Sequence, residues 1–268
     1  MMLVGGAAAG AFGSLLGLGG GILIVPLLTI GFGLPLREAV GVSLVCVIMT
    51  SSAAAGVYLE RHVANLRLGM TLEPFTATGA LVGGSIAFLL DERLLSGLFA
   101  ALLLYVAATM VRSSRTPAAR AAEEALAEAS AADALIDEAP AVPSHAPIRN
   151  MRLGVAGSFG AGIVSALLGI GGGIIKVPLM HLGMGVPLRV AAATSNLMIG
   201  ITAAASAVIY ALNGGIDPYV AGPTALGVFI GATAGSRVGH RIQVRYLRAL
   251  FVVVLGGTAI QMMGRALS

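Results

Sequence analysis

The sequence predicts an all-α polytopic membrane protein. It consists of two inverted-topology repeats, each a glycine-broken helical hairpin plus three transmembrane helices. Three observations predict it: scarce charge, an internal repeat, and the placement of arginine. Of 268 residues, 57% are hydrophobic and only 10% are charged, where a soluble domain carries about 25%. That is too little charge to cover a water-facing surface of this size, and the mean hydropathy of +0.94 agrees. The 38 glycines fit as well, because small residues let helix backbones approach closely in a bilayer.

The repeat is read directly from the residues. Leu16 to Pro26 is LGLGGGILIVP and Leu168 to Pro178 is LGIGGGIIKVP, an offset of 152. Pro35-Leu36-Arg37 then matches Pro187-Leu188-Arg189, Ser43 matches Ser195, Thr50 matches Thr202 and Tyr58 matches Tyr210. Further on, Gly79-x-x-x-Gly83 pairs with Gly227-x-x-x-Gly231, which drops the offset to 148 and predicts a loop four residues shorter in the second half. Chance similarity between apolar segments does not produce GGG, Pro and Pro-Leu-Arg at one spacing. The domains expected are residues 1–111 as the first transmembrane repeat, 112–151 as a cytoplasmic Ala/Glu-rich linker and 152–268 as the second repeat. Within the linker, alanines and Glu123, Glu124 and Glu128 favour a marginal helix, which Pro140, Pro143 and Pro147 end.

An apolar helix needs about 20 residues to cross the hydrocarbon. Three stretches per half qualify: about 38–59, 69–90 and 94–111, then about 190–211, 219–236 and 248–265. The opening segments, 2–32 and 153–183, are apolar but cut by the glycine run, leaving pieces of about 2–16 and 21–32, each short for a full crossing. They could be single crossings, with the halves parallel, or hairpins, with the halves inverted. Cytoplasmic loops are enriched in Lys and Arg, and this decides. Under the hairpin arrangement Arg61, Arg67, Arg112, Arg115, Arg120, Arg149, Arg152, Arg189, Arg237, Arg241, Arg245 and Arg248 share one side. Only Arg37, Arg93 and Arg265 face the other. The continuous crossing splits the same residues almost evenly. The hairpin therefore wins, with both termini outside and the linker cytoplasmic. No basic n-region or cleavage site marks a signal peptide, and the abrupt Met1-Met2-Leu3 fits a start a few residues upstream.

Broken helices expose backbone groups that hydrocarbon cannot satisfy, so they occur where they face protein or a polar cavity. Paired breaks in inverted halves point to a transport site near the midplane. Half-helices beginning at Gly21 and Gly173 would aim free N–H groups and a positive dipole end at that site, which favours an anion. Lys176 strengthens this, because its repeat partner is the apolar Ile24. An intramembrane charge is costly and is a functional candidate by default; a snorkelling or carboxylate-paired lysine is the plainer reading. Hydroxyls and amides suited to oxyanions follow in Ser43 and in Thr194-Ser195-Asn196, against ordinary interhelical hydrogen bonding. The residues expected to bind substrate are thus Gly19, Gly20, Gly21, Ser43, Gly171, Gly172, Gly173, Lys176, Thr194, Ser195 and Asn196.

Weaker signals are set aside. Thr50, Ser51 and Ser52 form a second hydroxyl run. Gly17-x-Gly19 lacks the strand–helix context of a nucleotide loop. His62, His145, His181 and His240 lack metal spacing, with His181 near solvent or a proton path. Glu73 begins a crossing and could carry protons, but an interfacial position is expected. The one cysteine, Cys46, excludes an intramolecular disulfide and any multi-cysteine site, and reads as a small buried hydrophobe. No nucleophile–base pair or paired carboxylates fall in the crossings, so neither an enzyme nor a cofactor is expected.

The two glycine segments, each followed by Pro-Leu-Arg and a Ser-containing helix, resemble the TauE/SafE family of sulfite exporter-like permeases. The resemblance covers about 2–111 and 152–266, with the family's Gly-rich motifs falling on Gly17 to Gly21 and Gly169 to Gly173. The abrupt start and the long acidic linker depart from it. It implies export of a small sulfur anion, sulfite or an organosulfonate such as sulfoacetate, across the cytoplasmic (inner) membrane by a multi-pass protein, driven by the proton gradient. The partners implied are a small anion and the lipid bilayer, not nucleic acid; a homodimer stays open. Two alternatives stay open too: a membrane scaffold or assembly subunit that moves nothing, and an importer of a related oxyanion.

Overall fold

The computed structural model describes residues 1–15, 21–60, 64–112, 149–238 and 244–267. Gly17, Gly19 and Gly20, the linker from 113 to 148, and His62, His145 and His240 lie outside the described residues.

Helices make up most of the described residues. They are α1 Met2–Leu15, α2 Gly21–Pro26, α3 Leu36–Glu60, α4 Leu66–Leu89, α5 Glu92–Arg112, α6 Met151–Leu168, α7 Gly173–Pro178, α8 Leu188–Leu212, α9 Pro218–Val238 and α10 Val244–Leu267. The short helices α2 and α7 each end on a proline and widen into a π-helical turn, Leu27–Gly31 and Leu179–Gly183. Proline has no N–H to give the preceding turn, so the ladder skips a residue there. Three of the helices, Leu66–Leu89, Met151–Leu168 and Val190–Leu212, are long and apolar enough to cross a membrane. Met151–Leu168 thereby corrects the expectation that both arms of an opening segment are short: its 18 residues reach about 27 Å at the α-helical rise.

After each break the chain doubles back. Arg149 N–H donates to Met184 O at 3.0 Å. Asn150 Nδ2 reaches Gly183 O. A β-carbon built on Gly157 would strike the side chain of Leu179, and one on Gly183 would lie 3.1 Å from Leu153. The arms 151–168 and 173–183 are therefore antiparallel. In the first half Gly5 lies against Leu27 and Phe32 in the same way.

The two halves correspond element by element at an offset of 152 throughout. Helices α3 and α8 start at Leu36 and Leu188, α4 and α9 at Leu66 and Pro218, and α5 and α10 at Glu92 and Val244. Asn65 Oδ1 accepts from Leu68 N–H to cap α4, and Asp217 Oδ1 accepts from Tyr219 N–H to cap α9. The drop to 148, and with it the shorter loop, is incorrect: Gly79 corresponds to Gly231. Packing proves the register. A β-carbon on Gly10 would collide with Val228 O and one on Gly231 with Ala7 O, joining α1 to α9. At the same offset, one on Gly162 would collide with Thr76 O and one on Gly79 with Phe159 O, joining α6 to α4. These close helix–helix approaches are what the abundant glycine permits. At the centre α3 packs on α8, and α5 packs on α10.

Candidate functional site

Gly21, at the start of α2, meets the second glycine break. A β-carbon on Gly21 would lie 3.0 Å from Gly169 O and 3.3 Å from Ile170 Cα. Ser43 Oγ donates to Gly169 O at 2.7 Å and lies 3.3 Å from Gly21 O, tying the start of α2 to the second break. The second break turns through Gly169, Gly171 and Gly172, all at positive φ (68°, 82° and 76°), a region that side chains other than glycine's rarely tolerate.

One turn beyond, Lys176 is 1% exposed. A β-carbon on Gly172 would lie 3.6 Å from Lys176 Cε and 3.2 Å from Ser165 Cβ, so the lysine runs alongside the break. Its ammonium donates to Thr202 Oγ1 on α8 at 2.6 Å and stands 3.6 Å from Glu73 Oε2 on α4. Thr202 Oγ1 in turn has Glu73 Oε1 at 2.8 Å and Met198 O at 2.9 Å as acceptors. Glu73 is 5% exposed and lies two turns inside α4, which corrects its expected interfacial place. A buried ammonium is tolerable only beside a counter-charge, and Glu73 supplies it.

The arrangement leaves three polar atoms without a hydrogen bond: Glu73 Oε2, Ser165 Oγ and Ser195 Oγ. Ser165 lies beside Gly172, and Ser195 Oγ would be 3.7 Å from a β-carbon on Gly173. Buried groups left unpaired are uncommon and costly; three gather here around Gly172, Gly173 and Lys176.

The expected residues thus divide. Gly171, Gly172, Gly173, Lys176 and Ser195 come together at the second break, with Gly21 and Ser43 adjoining from the first. Thr194 Oγ1 accepts from Asn65 N–H at 2.9 Å, and Asn196 O accepts from Ser51 Oγ at 2.5 Å, so both help hold α8 to the first half. Thr50 Oγ1 donates within its own helix, toward Cys46 O and Val47 O. At the α7 start Ile175 and Lys176 both give their N–H groups to Gly172 O. His181 Nδ1 lies 2.9 Å from Val186 O, away from the ion pair. Glu73, Thr202 and Ser165 are not among the residues expected to bind substrate. The signal that could have found Glu73 is that a buried lysine requires an acid, and Glu73 is the one acidic residue in 66–89.

Fold and site together define a polytopic helical membrane protein with a charged pair set inside its bundle, beside paired helix breaks. Residues 2–262 match the family described as Sulfite exporter TauE/SafE, and the chain belongs to that family. It is 25% identical over 262 residues to the "Probable membrane transporter protein YunE" of Bacillus subtilis, covering 95% of this chain and 93% of that one. It is 24% identical over 272 residues to the "Probable membrane transporter protein MJ0441" of Methanocaldococcus jannaschii, covering 96% and 92%. Over 101 residues it is 36% identical to "Sulfite exporter TauE/SafE family protein 6" of Arabidopsis thaliana, 38% of this chain and 23% of that one. No solved structure matches significantly.

Proposed function

We propose that this chain is a secondary transporter that exports a small sulfur-containing anion, sulfite or an organosulfonate, across the cytoplasmic membrane, with its movement coupled to protons. One observation carries the reading: a fully buried lysine beside a helix break, with two idle serine hydroxyls next to it. Lys176 and Ser165 border Gly172, and Ser195 borders the adjacent Gly173, so three donors line neighbouring residues of the break. A sulfo group offers three acceptor oxygens. A purely structural ion pair would have no use for the unpaired hydroxyls, each of which costs about 1–3 kcal/mol when buried unsatisfied. The family description, sulfite export, supports the same chemistry, and the relatives described as probable membrane transporters support transport. In this reading Ser43 is a tie between the breaks, and Thr194 and Asn196 hold α8 in place.

The topology belongs to the same proposal. Two antiparallel opening hairpins, an element order repeated at 152, and arginines biased to one side support inverted halves with the segment 112–151 in the cytoplasm. Hairpins entering from opposite faces would bring their breaks together at the midplane, as inverted repeats do elsewhere.

Purified protein in proteoliposomes should move sulfite or an organosulfonate faster than empty vesicles, and Lys176→Ala should abolish binding in a calorimetric titration. No flux above empty vesicles would favour the scaffold reading. A cysteine replacing Ser130 should label only from the cytoplasm, and one replacing Asn213 only from outside; the reverse pattern contradicts the orientation.

A further inference from the structure

Lys176 has one counter-charge, and the proposed ligand is another. Among the described residues, the only ion pair is Lys176 with Glu73. Other charged or titratable groups on the helices packed around it are engaged elsewhere or sit at helix ends. Arg67 and Arg152 are exposed in the first turns of α4 and α6. Arg37 donates to Ala87 O and Leu90 O, and Glu38 is half-buried in the first turn of α3. Tyr210 OH donates to Ala166 O, His181 lies against Val186 O, and Cys46 is buried on α3. Arg189 stands in the first turn of α8, and Tyr58 and Glu60 stand in the last turn of α3.

Without a ligand the pair cancels, one ammonium against one carboxylate. An anion beside Lys176 would set two negative charges against one positive in a dry interior, where an uncompensated charge is strongly unfavourable. A proton taken from water onto the Glu73 carboxylate removes the conflict. The new O–H bond forms at Oε2, which has no hydrogen bond to lose. Thr202 is placed to follow the change, since its hydroxyl has Met198 O in reach as well as Glu73 Oε1.

Resting on the transport reading above, we propose that Glu73, Lys176 and Thr202 form an electroneutral coupling site, in which one monovalent oxyanion and one proton bind together and are released together, so that export runs down the anion's own gradient and carries a proton out with it. Two consequences follow from the charge balance alone. The loaded site (ammonium, anion, neutral carboxyl) and the empty site (ammonium, carboxylate) are both neutral, so the cycle carries no net charge and ignores membrane voltage. A dianion leaves the loaded site one charge short. Hydrogensulfite and simple monosulfonates therefore rank ahead of sulfate, and ahead of sulfoacetate with its second charge. Proton and anion affinities must reinforce one another by the same factor.

The test uses the full chain in proteoliposomes with methanesulfonate, which stays singly charged. A pH gradient of one unit should accumulate it about tenfold on the alkaline side at equilibrium, whichever way the protein is inserted, because the proton ratio sets the anion ratio. A valinomycin-set potassium potential should change accumulation less than about twofold, and sulfate should not accumulate. Glu73→Gln, a fixed mimic of the protonated acid, should still exchange labelled for unlabelled methanesulfonate while its pH-driven accumulation falls to about onefold. Voltage-driven accumulation in the wild type, sulfate moved as fast as methanesulfonate, or full pH-driven accumulation in Glu73→Gln would overturn the coupling site while leaving transport standing. The first two need no variant. Wild-type vesicles that exchange neither methanesulfonate nor sulfite would overturn the transport reading, and the coupling with it.

Discussion

The two glycine breaks share an origin in sequence but differ in chemistry. At the first, the position equivalent to Lys176 is Ile24, fully buried, and the position equivalent to Glu73 is Ala225, 4% exposed. Ser43 there is hydrogen-bonded, whereas its partner Ser195 has no hydrogen bond. Thr50 bonds its own helix backbone, whereas its partner Thr202 joins Lys176 to Glu73. Among the described residues, the first-half positions equivalent to the second site show what the duplicated architecture needs to stand: apolar packing and one serine tie. Charge and idle hydroxyls at the second are additions that stability does not require. What differs between the halves is therefore the best guide to function, and what they share is a guide to folding.

That contrast can be broken by making the second break resemble the first. The largest effect is expected for Lys176→Ile, which leaves Glu73 buried without a partner. It should lose about 3–5 kcal/mol of stability, read by unfolding in detergent, along with all anion binding. Adding Glu73→Ala completes the first half's pair and should recover most of that stability without restoring binding. Next is Gly172→Ala. Alanine at φ 76° costs about 1–2 kcal/mol, and its β-carbon would press on Ser165 and Ala161 O; a lower melting temperature and weaker methanesulfonate binding should appear together. The smallest effects separate the paired serines. Ser43→Ala should lose about 1 kcal/mol of stability, the worth of a hydrogen bond, with anion affinity kept. Ser195→Ala should leave stability unchanged or slightly raised, because it deletes an unpaired hydroxyl, while anion affinity falls about fivefold. If the two serines instead behave alike, the distinction between tie and ligand fails.

Much of the architecture was legible because membrane burial simplifies the code. The expected crossing at about 38–59 is Leu36–Glu60, and that at about 190–211 is Leu188–Leu212. The antiparallel arms on either side of the second break follow from the glycine interruption and the flanking prolines. The false offset of 148 has a specific cause. Glycines spaced by four recur along α4 and α9, so a slip of one helical turn costs nothing in the pattern, and only packing against Ala7 and Phe159 fixes the register. Lys176 was visible because it stands alone in an apolar repeat. Glu73 was misjudged because its partners are remote in sequence, Thr202 being 129 residues away, and because a charge near a predicted helix start looks interfacial. Ser165 gave no signal, since its repeat partner is Gly13 and carries no side chain to compare.

The central claim, that the anion site belongs to the second break alone, is tested most directly by methanesulfonate flux into proteoliposomes containing the double variant Lys176→Ile with Glu73→Ala. The account predicts a protein that folds and inserts like the wild type yet moves methanesulfonate no faster than empty vesicles. Flux at the wild-type rate from that variant would contradict it, because the charged pair would then be dispensable.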